Sequence, residues 1–148
     1  MNESQALDIK TLFANVLGEK IKEFDLPPPS FSIMECEIIA FDELKATLTT
    51  KVPVLKSWLN PFSTMQGGMI IAAMDNALGP LSMLIAPKNM TRKIDSKLIK
   101  AITMDMEYIY VTASLLERKK RRLTFHIDIK DKDENIYATA KIINFIIE

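Results

Sequence analysis

One stretch limits the folds open to this chain. Leu59 to Leu84 reads LNPFSTMQGGMIIAAMDNALGPLSML, and from Met69 to Ala86 its apolar residues fall on every side of a helical wheel rather than along one stripe. A helix of that kind belongs inside other elements. Its length is marginal for a membrane span, but Asp75, Asn76 and Pro80 all fall within it, and an acid near the centre of a span costs roughly 2.5–3.5 kcal/mol. No membrane span is therefore expected. The segment reads as the enclosed central helix of a globular domain, and Asp75 becomes a buried acid that needs a use or a partner.

The flanking sequence supplies what can enclose it. Ala6, Ile9, Leu12, Phe13, Val16, Leu17, Ile21 and Phe24 recur at three- and four-residue steps, predicting an amphipathic helix over about 4–24. Leu26-Pro27-Pro28-Pro29 ends it, because proline lacks a backbone donor and restricts the residue before it. From Phe31 to Val54 the pattern alternates and is β-branched, with a turn at Phe41-Asp42-Glu43, so two antiparallel strands follow. Beyond the central helix, Pro87 to Lys93 is polar and broken. Ile102, Met104, Met106, Tyr108 and Tyr110 then alternate with Thr103, Asp105, Glu107, Ile109 and Val111, a strand pattern. Glu117 to Arg121 reads as a hairpin tip, Leu123 to Ile129 as the next strand, Lys130 to Asn135 as a turn and Ile136 to Ile147 as the last strand. The order predicts an α+β protein in which one curved antiparallel sheet wraps the helix. At 148 residues the chain is the size of one domain, 1–148, able to bury about two-thirds of the surface its unfolded form exposes.

Composition excludes several function classes. Nineteen Lys and Arg balance nineteen Asp and Glu, so no global field draws in nucleic acid or an anionic membrane, and an anionic ligand must be held locally. The single cysteine, Cys36, forms no internal disulfide and reads as a small buried apolar residue. With no charged-then-apolar leader over Met1 to Lys10, the expected location is cytoplasmic. His126 is the only histidine, so a metal centre has no support, and no G-x-S-x-G nucleophile signature occurs.

Asn60-Pro61, then Gln66-Gly67-Gly68, Asp75 and Gly79 resemble the active-site signature of the hotdog-fold acyl-CoA thioesterases, the phenylacetate-pathway type above all. Ile102 to Tyr108 is similar to that family's following strand, and the element order covers nearly the whole chain. The resemblance implies a curved sheet around a long central helix, hydrolysis of acyl-CoA without metal or cofactor, and a homodimer or dimer of dimers with shared sites. Asn60, Gln66 and Gly67 of one chain would face Asp75 and Thr103 of the other. Asn60 would orient the water or the thioester, and Thr103 would help hold the water. Two positions depart from the family pattern: Gln66 stands where His is usual, and an amide does not titrate. Ser63 stands where Gly is common, so a positive φ there would be strained. The connection from Ala86 to Ala101 is longer than usual and would form a lid over the acyl site.

Physical chemistry supports the same residues independently. Gly67 and Gly68 open the helix, where the first amides lack helical partners and the dipole is positive. A glycine admits a ligand close to that backbone. A thioester carbonyl placed there would meet an oxyanion donor, a kind of group whose removal costs ~100- to 1000-fold. Asp75, two turns in, would be made a better base by desolvation and would either activate water or attack the carbonyl itself. The alternative is a structural acid that caps another backbone segment. Arg118 to Arg122 is either a solvated hairpin tip or, through Arg121 and Arg122, a contact for coenzyme A phosphates. Met65, Met69, Met74, Met83, Met104 and Met106 fill a core or line an acyl tunnel. A second reading of the whole is a non-catalytic module that binds acyl-CoA or another acyl ligand.

Overall fold

The computed structural model describes residues 5–147. Leu7 donates its N–H to Ile38 at 2.7 Å, and this holds the start of the described chain extended. Helix α1 therefore begins only at Ile9 and runs to Leu17. Asp8 caps it, accepting from the Thr11 N–H at 2.9 Å and the Thr11 hydroxyl at 2.7 Å. These bonds, the hydroxyl first, hold the Asp8 carboxyl below its ordinary pKa. Gly18, with φ of 58°, closes α1, and a 3₁₀ turn over Gly18–Glu23 completes the segment. The helix expected over 4–24 is thus shorter at both ends, and Ser4 lies outside the described residues.

Pro29 starts a one-turn helix, α2 (Pro29–Ile33), where an extended chain was expected. Its φ and missing donor suit the first position of a helix. Strands β1 (Glu37–Asp42) and β2 (Thr47–Pro53) pair antiparallel. Helix α3 then spans Gly67–Ile85. Four strands follow: β3 (Asn89–Leu98), β4 (Tyr108–Lys119), β5 (Arg122–Lys130) and β6 (Ile136–Ile146). They form one six-stranded antiparallel sheet in the order β1-β2-β4-β5-β6-β3.

Two expectations are corrected here. The polar stretch after α3 is a ten-residue edge strand paired with β6, not a loop or lid. An edge strand with one exposed side carries charges such as Arg92, Lys93, Asp95 and Lys97 without cost, and they blunt pairing with foreign chains. The alternation that began at Ile102 is only partly strand. Ile99 to Glu107 is a connection with a 3₁₀ turn at Met104–Met106, ended by Glu107 at φ 64°, and β4 starts at Tyr108. Ile102 is fully buried there as a plug beneath the loop before α3, which gave the run its strand-like rhythm.

The core lies between α3 and the concave face of the sheet. Ala73, Met74, Ala77, Leu78 and Leu81 meet Leu48, Val52, Ile109, Val111, Phe125 and Ile127, all fully or almost fully buried. Each large side chain there contributes roughly 1.5–3 kcal/mol. By length and composition α3 could cross a bilayer, yet half of it is buried inside the domain. The sheet covers one side of α3 only: Gly68, Ala72, Asp75, Gly79 and Met83 remain exposed or half-buried.

Candidate active site

The N-terminal end of α3 is held by a loop that Asn60 builds. Its Oδ1 accepts from the N–H groups of Phe62 at 2.9 Å and Thr64 at 3.1 Å, and its Nδ2 donates to the Thr64 hydroxyl at 2.8 Å. Asn60 N–H donates to Thr64 C=O at 2.7 Å. The loop's tip, Ser63, has φ of 61°, the strained left-handed conformation anticipated for a residue standing where glycine is common. Met65 N–H then donates to Ile102 C=O, and Gln66 N–H to Trp58 C=O, both at 2.8 Å.

These bonds set the direction in which the first helical amides point. Met69 and Ile70 donate to Gln66 C=O, and no side chain caps the helix. The N–H groups of Gly67 and Gly68 have no acceptor among the described residues. A methyl group on Gly67 would come within 3.2 Å of Leu98 Cδ1, while one on Gly68 would enter open space. The Gln66 side chain is exposed beside them. An unpaired pair of amides at the positive end of a 19-residue helix is suited to an oxygen that gains negative charge.

Asp75 is exposed, not buried. It lies on the side of α3 that the sheet leaves open, because a single curved sheet covers only one side of a helix. Its Oδ1 accepts a hydrogen bond from the Thr91 hydroxyl at 3.0 Å. Thr91 sits on β3, the strand absent from the expectation, and is the residue that sequence reasoning missed. The signal was faint: Asn89, Thr91, Ile94 and Ser96 are less exposed than their neighbours, but a bulge between Thr91 and Lys93 breaks the two-residue period. β3 runs back along α3, with Asn89 at Ser82, Thr91 at Asp75 and Leu98 at Gly67. Asn144, buried on β6, donates to Asn89 at 2.8 Å, which anchors the start of β3.

Thr103 lies elsewhere. Its backbone bridges Thr64 and its hydroxyl donates to Asp105, so it belongs to the Asn60 loop of its own chain, and the Thr103 grouping with Asp75 is corrected. The hydroxyl beside Asp75 is that of Thr91.

Arg121 and Arg122 sit at one end of the sheet with Arg92, Lys119, Lys120 and Phe145 around an open cavity of ≈640 Å³. Arg121 Nε donates to Ile146 C=O at 3.1 Å, and Arg122 pairs with Glu117 at 3.5 Å. Arg92 immediately follows Thr91, so the cationic cluster begins one residue from the partner of Asp75. His126 lies on the outer face of the sheet, 3.8 Å from Asp128, and no three His, Cys, Asp or Glu side chains among the described residues converge on a point. Cys36 is buried, and burial pushes its thiol up to about 12.

Within one chain the free amides of Gly67 and Gly68 and the Asp75 carboxylate do not meet. Eight residues of α-helix separate Gly67 from Asp75, ~12 Å along the axis at 1.5 Å per residue. A nucleophile and a carbonyl need to approach within about 3–3.5 Å.

No protein-family model matches the sequence, and no curated protein matches it. Solved structures do match. The PaaI protein of the E. coli phenylacetic acid degradation operon superposes with a TM-score of 0.76 at 15% identity, covering 97% of each chain. A phenylacetic acid degradation-related protein of Ralstonia eutropha gives 0.75 at 18% identity over 86% of this chain and 97% of the other. A hypothetical thioesterase of Streptococcus pneumoniae, solved with coenzyme A, gives 0.72 at 16% identity over 79% and 90%. At such identities the likeness speaks to architecture, and with the sheet order above it establishes that this chain has the hotdog fold.

Proposed function

We propose that the protein is a cytoplasmic acyl-CoA thioesterase that works as a homodimer, with each site shared between two chains. The observation that carries this reading is the ~12 Å between the free amides of Gly67 and the carboxylate-bearing turn at Asp75. Two copies of α3 packed antiparallel through their open faces would bring Gly67 of one chain to Asp75 of the other. The small residues Gly68, Ala72 and Gly79 on that face permit close approach of two backbones. The likeness to a coenzyme A-bound structure supports the ligand class, and the cluster of Arg92, Arg121 and Arg122 suits its phosphates, to which arginine makes charge-assisted bonds.

In this arrangement the thioester carbonyl oxygen lies at the N–H groups of Gly67 and Gly68, which stabilise the charge that develops on it. Asp75, oriented by Thr91, takes the proton from an attacking water or adds to the carbonyl directly. Gln66 borders the carbonyl as a neutral donor or acceptor. Asn60 acts through the loop: its amide oxygen already serves two backbone N–H groups, so it shapes the entrance to α3. Thr103 supports that same loop.

The test is release of free thiol from a panel of short, long and aromatic acyl-CoA esters by the protein and by Asp75→Asn. Turnover that disappears with the carboxylate supports the hydrolase. Binding of the esters with no turnover in either protein replaces it with the non-catalytic acyl-binding module, in which Gln66 marks the lost activity.

A further inference from the structure

The balance of nineteen cations against nineteen acids conceals a separation of charge along the sheet. At one end the tip between β4 and β5 carries Arg118, Lys119, Lys120, Arg121 and Arg122, all exposed, with Arg92 beside them. At the other end the turn between β5 and β6 carries Asp131, Asp133 and Glu134, next to Asp105 and Glu107. A neutral chain built this way has a cationic end that is drawn to an anionic surface and an acidic end that turns from it.

The cationic end also exposes apolar side chains. Leu116 on β4 is 62% exposed and Leu44, in the turn between β1 and β2, is 98% exposed; neither joins the core. The two turns are neighbours. Thr47 pairs with Ser114, and the Leu115 N–H donates to Ala46 C=O at 3.0 Å, so Lys45 and Leu44 come next beside Leu116 and the strand beyond it. β1 and β2 lie at the opposite edge of the sheet from β3, and a dimer formed through the open side of α3 leaves them uncovered. The arginines assigned to coenzyme phosphates lie toward β3, on β3 and β5, whereas the two leucines lie toward β2. Lys45, Arg118, Lys119 and Lys120 form no ion pair with an acid among the described residues.

We infer that this end of the sheet docks the protein on an anionic lipid bilayer, with Lys45, Arg118, Lys119 and Lys120 at the headgroups and Leu44 and Leu116 in the acyl boundary. Charge and apolar surface act together in such a contact, the headgroups meeting the cations and the boundary region taking the leucines out of water. A nucleic acid would meet the cations and leave the leucines in water. The contact is peripheral, since it uses two turns and no helix. Each cation at the surface strengthens it about fivefold, and screening weakens it as salt shortens the range of the attraction. Docking is independent of thioester hydrolysis, which takes place at the other side of the molecule.

The test is co-sedimentation of the whole chain with vesicles of phosphatidylcholine, with and without phosphatidylglycerol. The wild type should bind the anionic vesicles at least about tenfold more tightly than the neutral ones, and should be released between about 0.1 M and about 1 M salt. Lys119→Gln with Lys120→Gln should weaken binding about 25-fold, whereas Lys130→Gln with Lys132→Gln, at the acidic end, should change it less than about twofold. Leu44→Ser with Leu116→Ser should weaken it at least about fivefold, less than full burial of one leucine would give. Urea midpoints equal to that of the wild type show that the variants are folded. Equal binding to both vesicles, equal losses from the two lysine pairs, or unchanged affinity in the double serine variant each overturns the inference. A protein that docks and releases no thiol loses the hydrolase reading alone, and one that hydrolyses its ester and ignores the vesicles loses the docking alone.

Discussion

The inward side of α3 carries Ala73, Ala77, Leu78 and Leu81, each with no exposed surface, whereas its outward side carries Gly68, Ala72, Asp75, Gly79 and Met83, all reached by solvent. Apart from Asp75, neither side carries a charge. They differ in what the rest of the chain does. The inward side is closed by the sheet, so its residues answer to volume. The outward side is left open, with an acid, two glycines and unfilled space, and its residues answer to whatever approaches from outside.

The sharpest way to break this comparison is to change one residue on each side. Asp75→Asn should lower thiol release by roughly 100- to 10,000-fold, the range of a general base, while shifting unfolding free energy by no more than ~0.5 kcal/mol, as for surface substitutions. An unchanged rate would remove Asp75 from the site. Leu78→Ala should do the reverse, lowering stability in urea by about 2–5 kcal/mol. A loss under ~1 kcal/mol would mean that the inward side is less tightly packed than its burial indicates.

Ala72→Arg tests what meets the open side. A guanidinium on that face should reduce the assembly from two chains to one in sedimentation experiments and abolish turnover with it, the overpacking alone costing ~1–3 kcal/mol. A monomeric variant that still hydrolyses its ester would show that one chain holds a whole site. Thr91→Val removes a single hydrogen bond to a carboxylate, and kcat should fall about tenfold. Its fold should survive, since β3 keeps its pairing with β6.

The smallest effect concerns a buried thiol outside α3. Burial raises the Cys36 thiol to about 12, above its unfolded value, so above pH ~9 the unfolded chain loses a proton that the folded chain keeps, and stability falls as pH rises. Between pH 8 and pH 10 the wild type should lose about 1 kcal/mol more than Cys36→Ala in chemical unfolding. Equal losses would mean that the thiol is accessible.

Where the sequence carried strong periodicity, the elements followed it. Alternation over Leu123 to Ile129 and Ile136 to Ile147 became β5 and β6, because both sides of these strands have a definite partner, core or solvent. β3 escaped notice because an edge strand needs little apolar content and a bulge shifts its phase. Ile102 to Glu107 misled in the other direction, since a buried plug followed by a turn copies a strand's rhythm over a few residues. The same gap hid Thr91, while Thr103 offered a hydroxyl at a familiar position on a segment that folds away from Asp75.

By itself the sequence determined that the chain is one α+β domain around an apolar helix, that amides are freed at Gly67 and Gly68, and that a single acid lies two turns farther on. These follow from local rules: glycine at a helix start and the period of a helix. Only the tertiary structure decided which side of α3 is left open, that Thr91 rather than Thr103 holds Asp75, and that Arg92 joins Arg121 and Arg122. Those depend on strand order and register, which bring residues far apart in sequence together, and no local periodicity encodes which strand lies at the edge of a sheet.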